Sequence, residues 1–102
     1  MGRLRIDIPQ DRLNAFCRTH RVRRLSVFGS ALREDFRPDS DVDVLVSFQP
    51  DDQWDLFDLG QMRDELMDMF GREVDVIEEE GLRNPFRRRT IMDTREVIYH
   101  AS

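Results

Sequence analysis

The stretch Ser40-Asp-Val-Asp-Val-Leu-Val46 alternates two aspartates with apolar residues. Successive side chains of a β-strand point to opposite faces, so Asp41 and Asp43 are predicted to share one face, with Val42 and Val44 on the other. Two neighbouring carboxylates repel each other unless a cation lies between them. Mg²⁺ takes oxygen ligands, often one or two carboxylates together with the phosphates of a substrate. The stretch therefore predicts a largely buried strand that carries a site for a metal ion and a nucleotide.

A glycine–serine pair, Gly29-Ser30, is separated from these aspartates by ten residues and follows a predicted short strand over Leu25–Phe28. Where a strand passes into a helical turn, free backbone N–H groups can bind phosphate, and glycine allows a close approach. The Ser30 hydroxyl can donate to a phosphate oxygen, although it could also only cap the turn. Arg33 either contacts a phosphate or pairs with a neighbouring acidic residue. The dipeptide alone is common, but its spacing from Asp-x-Asp makes a nucleotide site the preferred interpretation.

A third carboxylate, Asp75, lies inside the apolar run Val74-Asp-Val-Ile77, which predicts another strand. A charged residue is unexpected there unless it is paired or binds metal, or unless the strand is an exposed edge. If this strand neighbours that of Asp41 and Asp43, three carboxylates can converge on two ions, which stabilise the attacking and leaving oxygens of a phosphoryl displacement. Asp75 would also be placed to accept the proton of an attacking hydroxyl.

Helical periodicity predicts one helix over Pro9–His20, a second capped by Asp52 and ended by Gly71, and a third begun by Asn84-Pro85. The third is expected to bury the residues Phe86, Thr90, Ile91, Val97 and Ile98. Trp54 and Phe57 are expected in the core rather than against a partner, and Glu78–Glu80 in a solvated turn. Helices that alternate with short strands predict an α/β or α+β fold, a sheet with packed helices.

Composition narrows the possible functions. The 102 residues predict a single domain, 1–102, and the net charge of −5 argues against a broad nucleic-acid-binding surface. Cys17 is the only cysteine, which excludes an internal disulfide and a cysteine zinc cluster. No apolar run approaches the ~18 residues of a membrane span and no signal peptide is visible, so the expected location is the cytoplasm. All sixteen basic residues are arginine, which reflects either coding bias or arginine forks that bind phosphates or carboxylates.

Phe28-Gly-Ser-Ala-Leu-Arg33 followed by Ser40-Asp-Val-Asp43 resembles the signature of the DNA polymerase β-type nucleotidyltransferase superfamily. The nearest resemblance is to its minimal nucleotidyltransferase (MNT) group, small antitoxins paired with HEPN-domain toxins. The resemblance runs from Leu25 to Tyr99, and Asp75 falls where the family has its third carboxylate. One departure is Glu34, which stands where many relatives carry glycine.

The last segments, Asn84–Arg88 and Val97–Tyr99, are similar to the C-terminal helix of that family. The resemblance implies a small mixed sheet with flanking helices. It also implies a Mg²⁺-dependent enzyme, with two ions, that transfers AMP from ATP to a hydroxyl of a HEPN toxin, an RNase. The expected acceptor is a tyrosine, and the modification silences the toxin.

In this interpretation the catalytic and metal-binding residues are Asp41, Asp43 and Asp75. The nucleotide-binding residues are Gly29, Ser30 and Arg33. Because so short a chain has no room for an acceptor-binding domain, the partner itself is expected to present the acceptor. Two alternatives stay open: a non-catalytic antitoxin that captures its toxin stoichiometrically, and a nucleotide-sensing regulatory subunit.

Overall fold

A computed structural model describes residues 8–29, 41–50 and 55–101. The elements in these segments are α1 (Gln10–Thr19), β1 (Val22–Phe28), β2 (Val42–Phe48), α2 (Leu56–Phe70), β3 (Val74–Glu78), a 3₁₀ turn (Glu79–Gly81), α3 (Pro85–Thr94) and β4 (Glu96–His100). None of the described helices has the length and apolar character needed to cross a membrane. Predictions made for Ser30, Arg33, Glu34 and Trp54 fall outside the described residues.

The four strands form one sheet in the order β3-β2-β1-β4. β1 pairs antiparallel with both β2 and β4, whereas β2 and β3 are parallel and are connected through α2. This arrangement confirms the expected small mixed sheet with helices packed on it. β2, the most apolar strand, lies at an inner position between β1 and β3.

Each face of the sheet is covered by different helices. On the first face, α1 and α2 pack on β1, β2 and β3 through buried residues, which include Leu13, Phe16, Leu25, Val44, Met62 and Leu66. On the second face, α3 and the preceding loop supply Ile91 and Leu82, which pack on Phe28 of β1 and Leu45 of β2. The alternation of β2 explains this division, because Val44 and Val46 face α1 and α2 while Leu45 faces α3.

Helix α2 begins later than predicted, since its N-cap is Asp55 rather than Asp52. The Asp55 carboxylate accepts a hydrogen bond from the backbone N–H of Asp58, and the Asp58 carboxylate accepts one from the N–H of Asp55. This reciprocal pair satisfies two backbone donors that a helix otherwise leaves free. At the other end, Gly71 adopts a left-handed conformation with φ of 71°, as predicted for the C-cap.

The C-terminal prediction is wrong in two respects. The last helix ends at Thr94, and Val97–Tyr99 belong to β4, where β-branched and aromatic residues favour an extended chain. Phe86 is exposed rather than buried because Ile91 and Met92 form the inward side of α3. Phe57, also expected in the core, is 89% exposed at the start of α2.

Glu79, expected in a solvated turn, is only 4% exposed. Its two carboxylate oxygens lie 2.7 Å from Arg24 Nη2 and 3.6 Å from Arg95 Nη1, and its backbone carbonyl accepts a hydrogen bond from Arg88. Burial lowers the pKa of Arg95, repulsion by Arg24 adds to this, and Glu79 opposes it. The Glu79 side chain thereby joins the 3₁₀ turn to β1 and to the residue that follows α3, and its backbone carbonyl adds a contact with α3 itself.

Glu79→Gln should destabilise the fold by about 3 kcal/mol, because it leaves two half-buried arginines without their counter-charge. The matched control is Glu73→Gln, whose partner Arg63 lies 3.2 Å away in a pair that is largely exposed. That control should cost less than about 1 kcal/mol. Urea unfolding measures both changes, and equal losses in the two variants would show that the Glu79 cluster does not anchor the fold.

Candidate functional site

The sheet register brings Asp43 and Asp75 side by side. In the parallel pair of β2 and β3, Asp43 is aligned with Asp75, between the aligned pairs Val42–Val74 and Val44–Val76. These four valines lie against the core under α1 and α2. Since neighbours along a strand point to opposite faces, the two carboxylates project to the other face, the one that carries α3.

Asp41 is close to this pair along the chain, but it is not part of the strand. It immediately precedes β2, and it is exposed. The next residue is already paired, because the N–H of Val42 donates to the carbonyl of Glu73 at 2.9 Å. If the alternation of β2 is carried back by one residue, Asp41 falls on the same side as Asp43, at the end of the sheet where β1 stops; for Asp41 the shared face therefore stays a prediction.

Gly29 comes directly after β1 and reaches the same place, because Phe28 is the antiparallel partner of Asp43. Gly29 has φ of 75°, a left-handed conformation that residues with a Cβ rarely adopt. A Cβ at this position would overlap Oδ2 of Asp43 and lie 3.4 Å from its Cγ. Glycine is therefore required here by two independent features, the backbone angle and the neighbouring carboxylate.

The described residues contain no group of three or more His, Cys, Asp or Glu side chains arranged to hold a metal ion. The expected convergence of Asp41, Asp43 and Asp75 into such a group is thus not seen there. Neither Asp41 nor Asp43 lacks an interaction partner within the chain. A preformed three-carboxylate cage is not what Mg²⁺ requires, since it usually binds one or two carboxylates, substrate phosphates and water. The aligned pair Asp43 and Asp75 fits that mode through its oxygen ligands and its shared face.

Two predicted nucleotide-binding residues remain, and the chain also has one cysteine whose reactivity the structure describes. Ser30 and Arg33 lie outside the described residues, so their nucleotide contacts stay a prediction. Cys17 is described and does not supply a nucleophile, because it is buried under α1 and burial raises the pKa of its thiol to about 12. Among the described residues, the site therefore offers the chemistry of carboxylates and backbone groups.

Sequence reasoning missed the contribution of α3 to this face. Ile91 and Met92 pack with Phe28, the strand partner of Asp43, so that α3 covers the sheet next to the carboxylates. The paired apolar residues Ile91 and Met92 could have indicated a helix that packs on a sheet. No local pattern, however, could have shown which face of the sheet it covers.

Comparisons of the sequence with known proteins agree on one family. The sequence profile described as a nucleotidyltransferase domain matches residues 11–98. A protein adenylyltransferase, MntA, of Thermococcus cleftensis is 32% identical over 78 residues, which are 76% of this chain and 74% of the relative. A predicted protein adenylyltransferase of Methanocaldococcus jannaschii is 33% identical over 79 residues, 78% of this chain and 83% of the relative.

Solved structures show the same fold. The solved structure of a protein assigned as a minimal nucleotidyltransferase superposes with a TM-score of 0.69 at 31% identity, and the match covers 85% of this chain and 86% of the other. A complex described as a tri-AMPylated Shewanella oneidensis HEPN toxin with its MNT antitoxin matches with a TM-score of 0.64 at 14% identity. That match covers 90% of this chain and 70% of the other, and at this identity it supports the fold alone.

Gly29→Ala and Gly71→Ala form a matched pair of variants. Both glycines have a positive φ, but nothing lies within 4 Å of a Cβ added at Gly71, whereas a Cβ at Gly29 meets Asp43. Each variant should lose about 1–2 kcal/mol of stability through backbone strain. Only Gly29→Ala should also weaken Mg-ATP binding, by about tenfold or more, because the Asp43 carboxylate must move.

Isothermal titration calorimetry with Mg-ATP, together with urea unfolding, measures both effects. Equal nucleotide affinities in the two variants would contradict a role for the contact between Gly29 and Asp43 in nucleotide binding.

Proposed function

The chain belongs to the nucleotidyltransferase domain family, and we propose that within this family it is an antitoxin that transfers AMP from ATP to a HEPN-domain toxin. The acceptor in this proposal is a tyrosine hydroxyl of the toxin. Support comes from relatives that are about one-third identical and are named protein adenylyltransferases. Further support comes from structures of similar fold in toxin–antitoxin complexes, one of them with AMP-PNP and another with an AMPylated toxin.

The observation that carries the proposal is the alignment of Asp43 with Asp75 on one face, beside the glycine that ends β1. An enzyme that moves a nucleotidyl group has to position a triphosphate and offset its charge, and it must also take a proton from the acceptor. Carboxylate oxygens on two adjacent strands can hold a cation that offsets this charge, and Gly29 lets a phosphate approach the backbone closely. A protein that only captures a partner has no need for aligned carboxylates.

In the proposed reaction, the oxygen of the acceptor hydroxyl forms a bond to the α-phosphorus of ATP. The bond from that phosphorus to the oxygen bridging to the β-phosphate breaks, and pyrophosphate leaves with the electron pair. Asp75 accepts the proton of the hydroxyl, which its exposure on an edge strand allows. Gly29, together with Ser30 and Arg33, binds the phosphates and orients them.

Mg²⁺ would be held by Asp43 and Asp75, with Asp41 at the end of the same face, and when bound it supplies positive charge against the triphosphate. Asp43 is suited to this role because its backbone is fixed between two strands. Asp41, outside the ladder and exposed, can adjust its side chain when the nucleotide enters.

The test is transfer of AMP to a HEPN-domain protein from the same genome, co-expressed with this chain and analysed by intact-mass spectrometry after incubation with Mg-ATP. The wild-type chain should add the mass of one or more AMP groups to the partner. Asp75→Asn should reduce transfer by about 10²-fold or more, the usual scale for loss of a positioned base. It should still form the complex and bind Mg-ATP. Asp41→Asn combined with Asp43→Asn should abolish transfer and leave the fold intact.

A suitable control is Asp64→Asn, the same chemical change at an exposed position of α2 on the opposite face of the sheet. This variant should transfer AMP as the wild type does. If the partner stays unmodified with the wild-type chain and is fully active after separation, the chain acts by capture and the proposal is wrong.

A further inference from the structure

Helix α3 presents an aromatic residue and several arginines to solvent. Phe86, in its first turn, is 83% exposed, although Ile91 on the same helix is buried. Arg83, Arg87 and Arg89 are exposed around it. We call this set, Arg83, Phe86, Arg87 and Arg89, the α3 outer face. Phe86 packs in neither apolar core of the described chain, so its exposed ring does not serve the stability of the fold.

The α3 outer face carries positive charge that acidic residues in the described part of the chain neutralise only at Arg89. Residues 83–95 contain five arginines and one acidic residue, whereas the other 89 residues contain eleven arginines and twenty acidic residues. Within the described segments, the side chains of Arg83 and Arg87 form no ion pair. The nearest acidic group to Arg89 is Asp93, at 3.8 Å on the same exposed helix side. Arg12, one of the two exposed arginines of α1, is by contrast paired with Asp68.

The position of this helix connects the α3 outer face with the carboxylates. The inward side of α3 packs on Phe28, the strand partner of Asp43, so the helix stands on the same sheet face as Asp43 and Asp75. A protein that brings a hydroxyl to these carboxylates must approach this face and meets α3 beside it. An exposed aromatic ring with arginines around it has the composition of the residues that dominate binding energy in protein interfaces.

We propose that the α3 outer face is the docking surface for the acceptor protein, and that this protein contacts it with an acidic surface and an apolar recess for Phe86. This inference rests on the proposed function for the kind of partner, and it adds the surface and its charge. Charge complementarity identifies the occupant, because the three exposed arginines of the α3 outer face offer positive charge to an acidic partner surface, on a chain that is otherwise acidic. A nucleic acid is a poorer fit, because its charge runs along its whole length against a chain with a net charge of −5, whereas a folded protein can confine its acidic groups to the surface that meets the arginines.

The experiment uses the complete chain and a fluorescein-labelled random copolymer of glutamate and tyrosine, which offers acidic side chains and aromatic hydroxyls. Fluorescence anisotropy gives its affinity for each variant. Phe86→Ser and Arg87→Glu should each weaken binding by about tenfold or more, the scale of an interface residue that matters. Arg83→Glu combined with Arg87→Glu should abolish it.

Two matched controls lie on the other side of the sheet. Phe57→Ser removes an aromatic residue that is equally exposed on α2, and Arg18→Glu reverses an exposed arginine on α1. Both should bind the copolymer with the affinity of the wild type. The assay contains no ATP, so docking is measured separately from transfer, and failure of the proposed function would leave this result unchanged.

Three outcomes would overturn the proposal. The first is a wild-type chain that does not bind the copolymer, or variants of the α3 outer face that bind it as the controls do. The second is tighter binding of polyuridine RNA than of the copolymer, with the RNA binding lost in the same variants. This result would make the surface a nucleic-acid site. The third is self-association, seen by light scattering and lost in Phe86→Ser, which would make a second copy the occupant.

Discussion

Pairing of β2 with a strand on each side is the constraint on which the rest of the structure depends. With β1 antiparallel on one edge and β3 parallel on the other, the backbone of β2 cannot slide by one residue without turning its valines out of the core. The same register that buries Val42 and Val44 therefore places Asp43 on the opposite face, beside Asp75. Burial of apolar side chains on one face thus positions the carboxylates on the other.

The end of β1 shows how closely the fold and the site are joined. From the sequence, the role predicted for Gly29 is to let a phosphate come near the backbone. The structure adds a second reason, which does not involve a ligand: the Asp43 carboxylate already occupies the space that a Cβ at position 29 would need. The turn and the carboxylate are consequently one unit, and a change in either displaces the other.

Much of the local structure could be predicted from the sequence, because it depends on neighbouring residues. The alternation in 42–48, the apolar spacing in α1 and the left-handed cap at Gly71 are examples. The alignment of Asp43 with Asp75 does not follow from the sequence alone, since it requires β2 and β3 to be neighbours and the order of strands depends on contacts between distant residues. Glu79 was misjudged for the same reason: its arginine partners are far away along the chain. The exposure of Phe86 depends on which side of α3 meets the sheet, and periodicity alone did not show this.

The position of each strand also sets how easily its backbone opens. β2 lies between two partners, so its amides exchange with solvent only when the ladder on both sides is broken, whereas β3 has one partner in the described sheet. Asp43 thus stands on backbone that opens with the whole sheet, and Asp75 on backbone that can open locally. Fluctuations of the edge strand therefore change the distance between the two carboxylates chiefly through Asp75, the residue that has to meet an incoming hydroxyl.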